Sequence, residues 1–236
     1  MSGSGTYSPT PPGRIIMVVE PFEKFWLEYD KWYDEHPMLY YSELWAVEVA
    51  SRGVPRPWLE VGVGSGRFAA PLKIDVGLDP SERLLELSSR RGVRVVKGYA
   101  ERLPFPDKTF GGVFIIITLC FLDNPLEALR EAGRVLLDGG RLILAFVPRE
   151  SPWGVHYSEL AKRGHRFYSQ AKFYTFSEVS EMIEEAGFKV EAVVSTLFSK
   201  PGSREVLEAP LNGYHPEAGF LVVRARLNRW IQPSTR

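Results

Sequence analysis

Cysteine is almost missing from this chain: Cys120 is the single thiol in 236 residues. One thiol excludes an internal disulfide, a multi-thiolate metal site and any chemistry that cycles several sulfurs. A net charge is missing too, with 29 basic residues set against 29 acidic ones. A neutral chain does not grip nucleic acid through its overall field, so neither nucleic acid nor membrane is expected as a partner, unless a local basic patch is built against the average. Long apolar runs are also absent. The longest, Val113 to Leu122, is broken by Thr118 and falls well short of the ~18 residues that read as a membrane span. Glutamine and asparagine are scarce, two and three against twenty arginines, a bias that fits a thermophilic source. The N-terminus lacks the basic-then-apolar order of a signal peptide, so a cytoplasmic protein is expected. Residues 1–16 read as a disordered leader, with Met17 as an alternative start, and residues 231–236 as a tail.

What is present is a globular composition, 44% hydrophobic and 13% aromatic. At roughly 150 residues per domain, the length predicts one domain (17–230) carrying additions. The first addition is aromatic. Phe22, Phe25, Trp26, Tyr29, Trp32 and Tyr33 recur at helical spacing and fall on one face. His36-Pro37 ends that helix, because the residue before proline avoids the helical region. A second helix is expected from about Tyr40 to Ser51, stopped by Gly53 and Pro55.

From Trp58 onward, strands and helices alternate. Strands are predicted at Trp58–Gly62, Asp75–Asp79, Val93–Val96, Gly112–Ile117 and Arg141–Val147. Asn124-Pro-Leu-Glu127 signals a helix start that runs to Asp138-Gly139-Gly140, and Thr175-Phe-Ser-Glu178 signals another. Residues 151–172 break the rhythm and read as an insertion after strand five, with a short helix near Val155 to Arg163. Phe188–Thr196 and Gly219–Arg226 are the last strand candidates. The alternation predicts an α/β fold, a Rossmann-like and mostly parallel sheet with helices on both faces.

The informative segment is Glu60-Val-Gly62-Val-Gly64-Ser-Gly66-Arg67, a strand turning through three alternate glycines into a helix. Such a turn lets a ligand reach the backbone. The dinucleotide pattern G-x-G-x-x-G does not fit, because the third glycine comes one position early and Arg67 stands where glycine is wanted. A plain tight turn is the alternative reading. Asp79, seventeen positions after Gly62, is suited either to accept two ribose hydroxyls or to cap the following helix. With Glu60 placed for an ammonium group, the set suits a ligand that combines ribose, adenine and an amino-acid tail, as S-adenosyl-L-methionine (SAM) does.

Glu60-x-Gly62-x-Gly64-x-Gly66, Gly77-Leu-Asp79-Pro-Ser81, Gly98-Tyr-Ala100-Glu101-Arg-Leu103-Pro-Phe105 and Arg134-Val-Leu-Leu-Asp-Gly139-Gly140-Arg-Leu142 occur in this order. Together they resemble the class I SAM-dependent methyltransferases, and are similar to the small-molecule branch that contains the ubiquinone/menaquinone-type enzymes. The resemblance runs over about residues 55–195. It implies a seven-stranded sheet with only the last strand antiparallel, SAM as cofactor and S-adenosyl-L-homocysteine as product. It also implies that Gly62, Gly64 and Gly66 pass beneath the methionine part, with Glu60 near its ammonium and Asp79 on the ribose. Pro80, Ala100, Glu101 and Leu103 would lie around the adenine, and Thr118 beside the methionine tail. Residues 20–51 would form a helical lid in which Tyr33 contacts the cofactor. The chain departs from the family at Tyr99, where many relatives carry aspartate, and at Phe110-Gly111, where many carry Phe-Asp.

The function so implied is transfer of the SAM methyl group to a small-molecule acceptor by in-line displacement. Cys120, Trp153, His156 and Tyr157 are candidate pocket residues, each with packing as the alternative reading. His156 and His36 are candidate general bases, since imidazole titrates near neutrality. No metal site is expected. No Asp/Asn-Pro-Pro-Tyr sequence follows strand four, which disfavours methylation of DNA bases. Rival readings are a nicotinamide-dependent oxidoreductase, a non-catalytic SAM-binding protein, and a methyltransferase acting on protein or RNA. The oligomeric state, monomer or homodimer, is left open by the sequence.

Overall fold

The computed structural model describes residues 19–228; the expected leader, Met17 and the tail at 231–236 lie outside the described residues. Three helices come first: α1 (Glu20–Lys24), α2 (Trp26–Glu35) and α3 (Pro37–Ser51). The expected break at His36-Pro37 is present, with a further one at Phe25. Helix α3 starts three residues earlier than its apolar pattern suggests, because the fixed φ of Pro37 suits the first helical turn.

The alternating segment follows as β1 (Trp58–Val61), α4 (Ala69–Leu72), β2 (Val76–Asp79), α5 (Glu82–Arg90), β3 (Val95–Lys97) and β4 (Phe110–Ile116). Then come α6 (Pro125–Val135), β5 (Leu136–Phe146), α7 (Pro152–Lys162), α8 (Phe176–Glu185), β6 (Phe188–Thr196), β7 (Leu211–Asn212) and β8 (Phe220–Leu227). The polar caps act as their residue types dictate. Asn124 accepts from the Glu127 amide at 3.2 Å, and Thr175 and Glu178 form a reciprocal capping box. Ser151 accepts from the Gly154 amide at 3.0 Å, so α7 begins three residues before the predicted position at Val155. Helix α6 stops at Val135 rather than at Asp138, because Leu136 already pairs with Phe110 in the sheet.

The sheet has eight strands in the order β3-β2-β1-β4-β5-β8-β6-β7. Strands β1 to β5 are mutually parallel, and β8 runs antiparallel to both β5 and β6. The seven-stranded expectation is corrected by β7, a two-residue edge strand antiparallel to β6. Leu211 and Asn212 carry no strand pattern of their own; pairing with Val194 and Ser195 makes them a strand.

Strand β4 is buried at all seven positions, as a central parallel strand is. Its side chains alternate between two cores. Val113 and Ile115 pack with Leu129, Val179 and Ile183 beneath α6 and α8. Phe114 and Ile116 pack with Tyr33, Ala46 and Val47 beneath the N-terminal helices. The chain leaves β1 toward β2 on one side and returns as β4 on the other. The strand order reverses there, so a crevice opens at the carboxyl ends of β1 and β4. Among the described residues, no helix is long and apolar enough to cross a membrane.

Phe114 is fully buried, with its ring centroid 4.9 Å from that of Trp58. Phe114→Ala is expected to cost about 3–5 kcal/mol in denaturant unfolding, because the rigid sheet around it cannot collapse into the void.

Candidate functional site

The glycine loop leaves β1 at this crevice. The Gly62 and Val63 amides both bond the Leu78 carbonyl, at 2.7 and 3.0 Å, so the loop turns sharply over the end of β2. Gly62 has φ +76°, and a Cβ there would lie 2.3 Å from the Thr118 side chain. Only glycine fits.

Asp79 is buried, and its carboxylate accepts from the Gly64 amide and the Ser81 amide, each at 2.9 Å. Burial raises its pKa to about 6, and these two backbone bonds limit the rise. Glu60, on β1 two residues before Gly62, is buried and does not itself line the cleft, and its Oε2 has no hydrogen-bond partner among the described residues. Burial, followed by the neighbouring Asp79 charge, pushes its carboxyl well above the usual range. An unpaired buried carboxylate is costly, and a cation is its natural partner.

Of the residues expected around a cofactor, Gly62, Gly64, Asp79, Pro80, Ala100 and Thr118 line one cleft. Gly66 does not. It faces α5, where a Cβ would lie 2.7 Å from Ser88 Oγ. Leu103 turns into the core, its amide held by Glu131 at 2.7 Å and its carbonyl by Arg134 at 3.0 Å. Glu101 accepts from the Asn124 amide at 3.4 Å outside the cleft.

Helices α1 and α2 close the cleft from above, leaving about 80 Å³. Tyr29, not Tyr33, faces it, with its ring lying over Gly64. Tyr33, one turn later, backs Tyr29 through a hydroxyl pair at 3.1 Å. Both belong to the aromatic face seen in the sequence, but only docking of α2 selects which ring meets the loop.

The lid is fastened by Arg67, the residue after Gly66. Its guanidinium bonds Asp30 at 2.9 Å and Asp34 at 2.7 Å, and Arg91 joins Asp30 at 2.8 Å. Burial alone would raise the Asp30 carboxyl, but the Arg67 and Arg91 hydrogen bonds bring it down to about 2. Tyr40 donates to the Arg67 carbonyl at 2.5 Å and ties α3 to the same loop.

A second cavity of about 500 Å³ lies beside the cleft. Cys120, Trp153, His156, Tyr157, His36 and Tyr33 all line it. The Cys120 thiol is pushed by burial to about 12, so it stays protonated at neutral pH. His36 Nδ1 sits 2.5 Å from Glu205, and Trp153 donates to the Ser199 carbonyl at 2.8 Å. Both contacts draw residues 199–205 over the rim, a segment without a sequence signal. Sequence reasoning also missed Glu43, which lines this cavity from α3. Its position on an apolar helical face was the available signal.

Phe22, Tyr29, Ile117 and Phe121 face both cavities. Ile117 holds φ +53°, a left-handed conformation that a β-branched residue enters only at a cost. This strained wall therefore lies where the two spaces meet. Among the described residues, no group of three or more His, Cys, Asp or Glu is placed to hold a metal.

Comparison with known proteins gives four further findings. Residues 59–144 match a family model described as a methyltransferase domain. An uncharacterised protein of Mycobacterium tuberculosis is 40% identical over 84% of this chain and 70% of its own length. A crystal structure from Thermotoga maritima, described as a SAM-dependent methyltransferase and possible histamine N-methyltransferase, superposes with TM-score 0.82. It is 41% identical and covers 89% of this chain and 98% of that one. A demethylmenaquinone methyltransferase of the same organism is 29% identical over 61% of this chain and 75% of its own length.

Two outcomes are expected. Arg67→Met should lower stability by about 1–3 kcal/mol in urea and speed proteolysis within residues 20–36, since Asp30 keeps only Arg91. The ligand-free chain should also lose stability between pH 5 and 8. Asp79 and Glu43 are held at about 6 and about 8, above their unfolded values of 3.8 and 4.5. The folded state thus retains protons that the unfolded chain gives up, and this contribution is lost as pH rises through each folded value. The urea midpoint should be lower at pH 8 than at pH 5.

Proposed function

The chain belongs to the class I SAM-dependent methyltransferases, and within that family we propose that it methylates a small molecule seated in the aromatic cavity. The observation carrying this reading is the shared wall: Phe22, Tyr29, Ile117 and Phe121 face the glycine-loop cleft on one side and the 500 Å³ cavity on the other. A space of that size encloses a metabolite-sized ligand. The alternative, a protein or RNA acceptor, calls for an open docking surface rather than an enclosed aromatic chamber.

The residues present fit SAM in their chemistry. Glu60, buried with a free oxygen, would take the ammonium of the methionine part. Asp79 would take the ribose hydroxyls on the lone pairs left by its two amide bonds. Gly62 and Gly64 would bring backbone against the methionine tail, while Pro80 and Ala100 would border the adenine and Thr118 the tail's far side. At about 80 Å³ the closed cleft is smaller than such a ligand, so α1 and α2 would retreat and re-dock through Arg67.

When bound, SAM supplies a methyl group on a positively charged sulfur for in-line displacement by the acceptor. The chain's own contribution is position and dryness. The aromatic rings hold an acceptor against the Ile117 wall and exclude water, which is where much of the acceleration of a displacement arises. For an acceptor that must lose a proton, His156 lies on the cavity wall, and His36 lies there already engaged by Glu205.

Calorimetry with S-adenosyl-L-homocysteine tests the reading. The chain should bind it, and Asp79→Asn should weaken binding about tenfold or more, because a charge-assisted acceptor is lost. Affinity in the natural chain should rise as pH increases through about 6, where Asp79 is half ionised, and level off above it, and Asp79→Asn should lack that component. Absence of binding would refute the assignment. A screen following labelled methyl transfer to metabolites, peptides and RNA separates the acceptor classes.

A further inference from the structure

Four carboxylates line the larger cavity: Glu28, Glu35, Glu43 and Glu205. Three have partners: Glu28 meets Arg166 at 2.7 Å, Glu35 meets Lys31 at 2.7 Å, and Glu205 meets His36 at 2.5 Å. Glu43 has none among the described residues: the residue is 4% exposed, and its Oε2 has no hydrogen-bond partner there.

Nothing in the local fold requires a carboxylate at this position. Glu43 lies mid-helix in α3, away from either terminus, between Ser42 and Leu44. It caps nothing and bridges no elements. Its electrostatic neighbours are the phenols of Tyr33, Tyr157 and Tyr168, which titrate higher chiefly because they are buried, with the Glu43 charge adding a smaller contribution. Leucine would suit the packing better, since an unpaired buried carboxyl destabilises a fold.

The surroundings indicate what would compensate it. Trp32, Trp153, Tyr157 and Tyr168 line the same cavity, offering ring faces to a cation as well as apolar area. Of the cavity's basic side chains, Lys200 and Arg204 sit on the exposed rim segment, His36 is engaged by Glu205, and neither His156 nor His165 is bonded to Glu43 among the described residues. A protein cation does not reach the buried carboxylate, so the complementary charge would come with the ligand.

We propose that Glu43 is the recognition residue for an acceptor bearing a basic nitrogen: a small amine whose nitrogen is held by the carboxylate and whose apolar or aromatic body lies among the surrounding rings. This deepens the proposed function and rests on it only in assigning the cavity to the methyl acceptor. Glu43 sits here as a binding residue, without a role in the displacement itself.

The test titrates tryptamine, phenethylamine and histamine into the full chain by calorimetry, with and without saturating S-adenosyl-L-homocysteine. Tryptophol and 2-phenylethanol serve as neutral counterparts of the first two. At least one amine should bind about tenfold or more tightly than its alcohol. Glu43→Gln should abolish that preference while leaving S-adenosyl-L-homocysteine affinity within about twofold and the melting temperature no lower. Glu43→Asp should recover part of the preference, which a merely structural side chain would not show. Equal binding of amine and alcohol, no binding of any amine, or a preference retained in Glu43→Gln would overturn the inference. Glu43-dependent amine binding without any S-adenosyl-L-homocysteine binding would sink the methyltransferase reading instead and keep the amine site.

Discussion

The ion cluster around Arg67 is the constraint on which the rest of the site depends. One guanidinium, placed directly after the glycine loop, holds two aspartates of α2, while Arg91 completes the charge balance on Asp30. The cluster is half-buried, where an ion pair keeps more of its strength than at an exposed surface, yet is spared full desolvation. Its position is what matters. It couples the loop that would carry the cofactor to the helix that roofs it, so Tyr29 above Gly64, Tyr33 behind it and the Tyr40 bond to the Arg67 carbonyl all follow from one docking event.

Set against that paired cluster are three carboxyls that find no cationic partner among the described residues. Glu60, Asp79 and Glu43 are each buried, and each is driven toward its protonated form by its surroundings. A fold selected for stability alone would replace or pair them. Asp79 and Glu43 line the two adjoining spaces and Glu60 stands two residues before the glycine loop, where ligand charges and hydroxyls can supply what the protein withholds. The strained Ile117 at the shared wall belongs with them: local cost is concentrated where donor and acceptor would meet.

The alternating α/β order was legible because each segment carries a local signal. Asn124 and Thr175 cap their helices through bonds to residues three positions on, and the β-branched run of β4 suits burial on both faces. The glycine motif was legible for the same reason, since Gly62 answers to a backbone conformation and a near neighbour. Edge strand β7 was not, because its pairing depends on β6, and neither was the rim at 199–205, drawn in by His36 and Trp153 from distant helices. Leu103 and Gly66 show the limit of motif transfer. Both sit in recognisable motifs, yet one is turned into the core by Glu131 and Arg134 and the other packs against Ser88.

The sequence by itself determined the alternating elements, the parallel sheet, the glycine turn and the cofactor class, because capping, periodicity and turn conformation act over a few residues. Tertiary structure alone decided which aromatic ring covers the loop, which expected residues share the cleft, and that Glu43 stands without a partner among the described residues in a cavity assembled from helices α1, α2, α3 and α7 and the loops between elements. Those outcomes depend on the angle at which helices dock and on which charges find partners across the fold. Neither is encoded in the spacing of neighbouring residues.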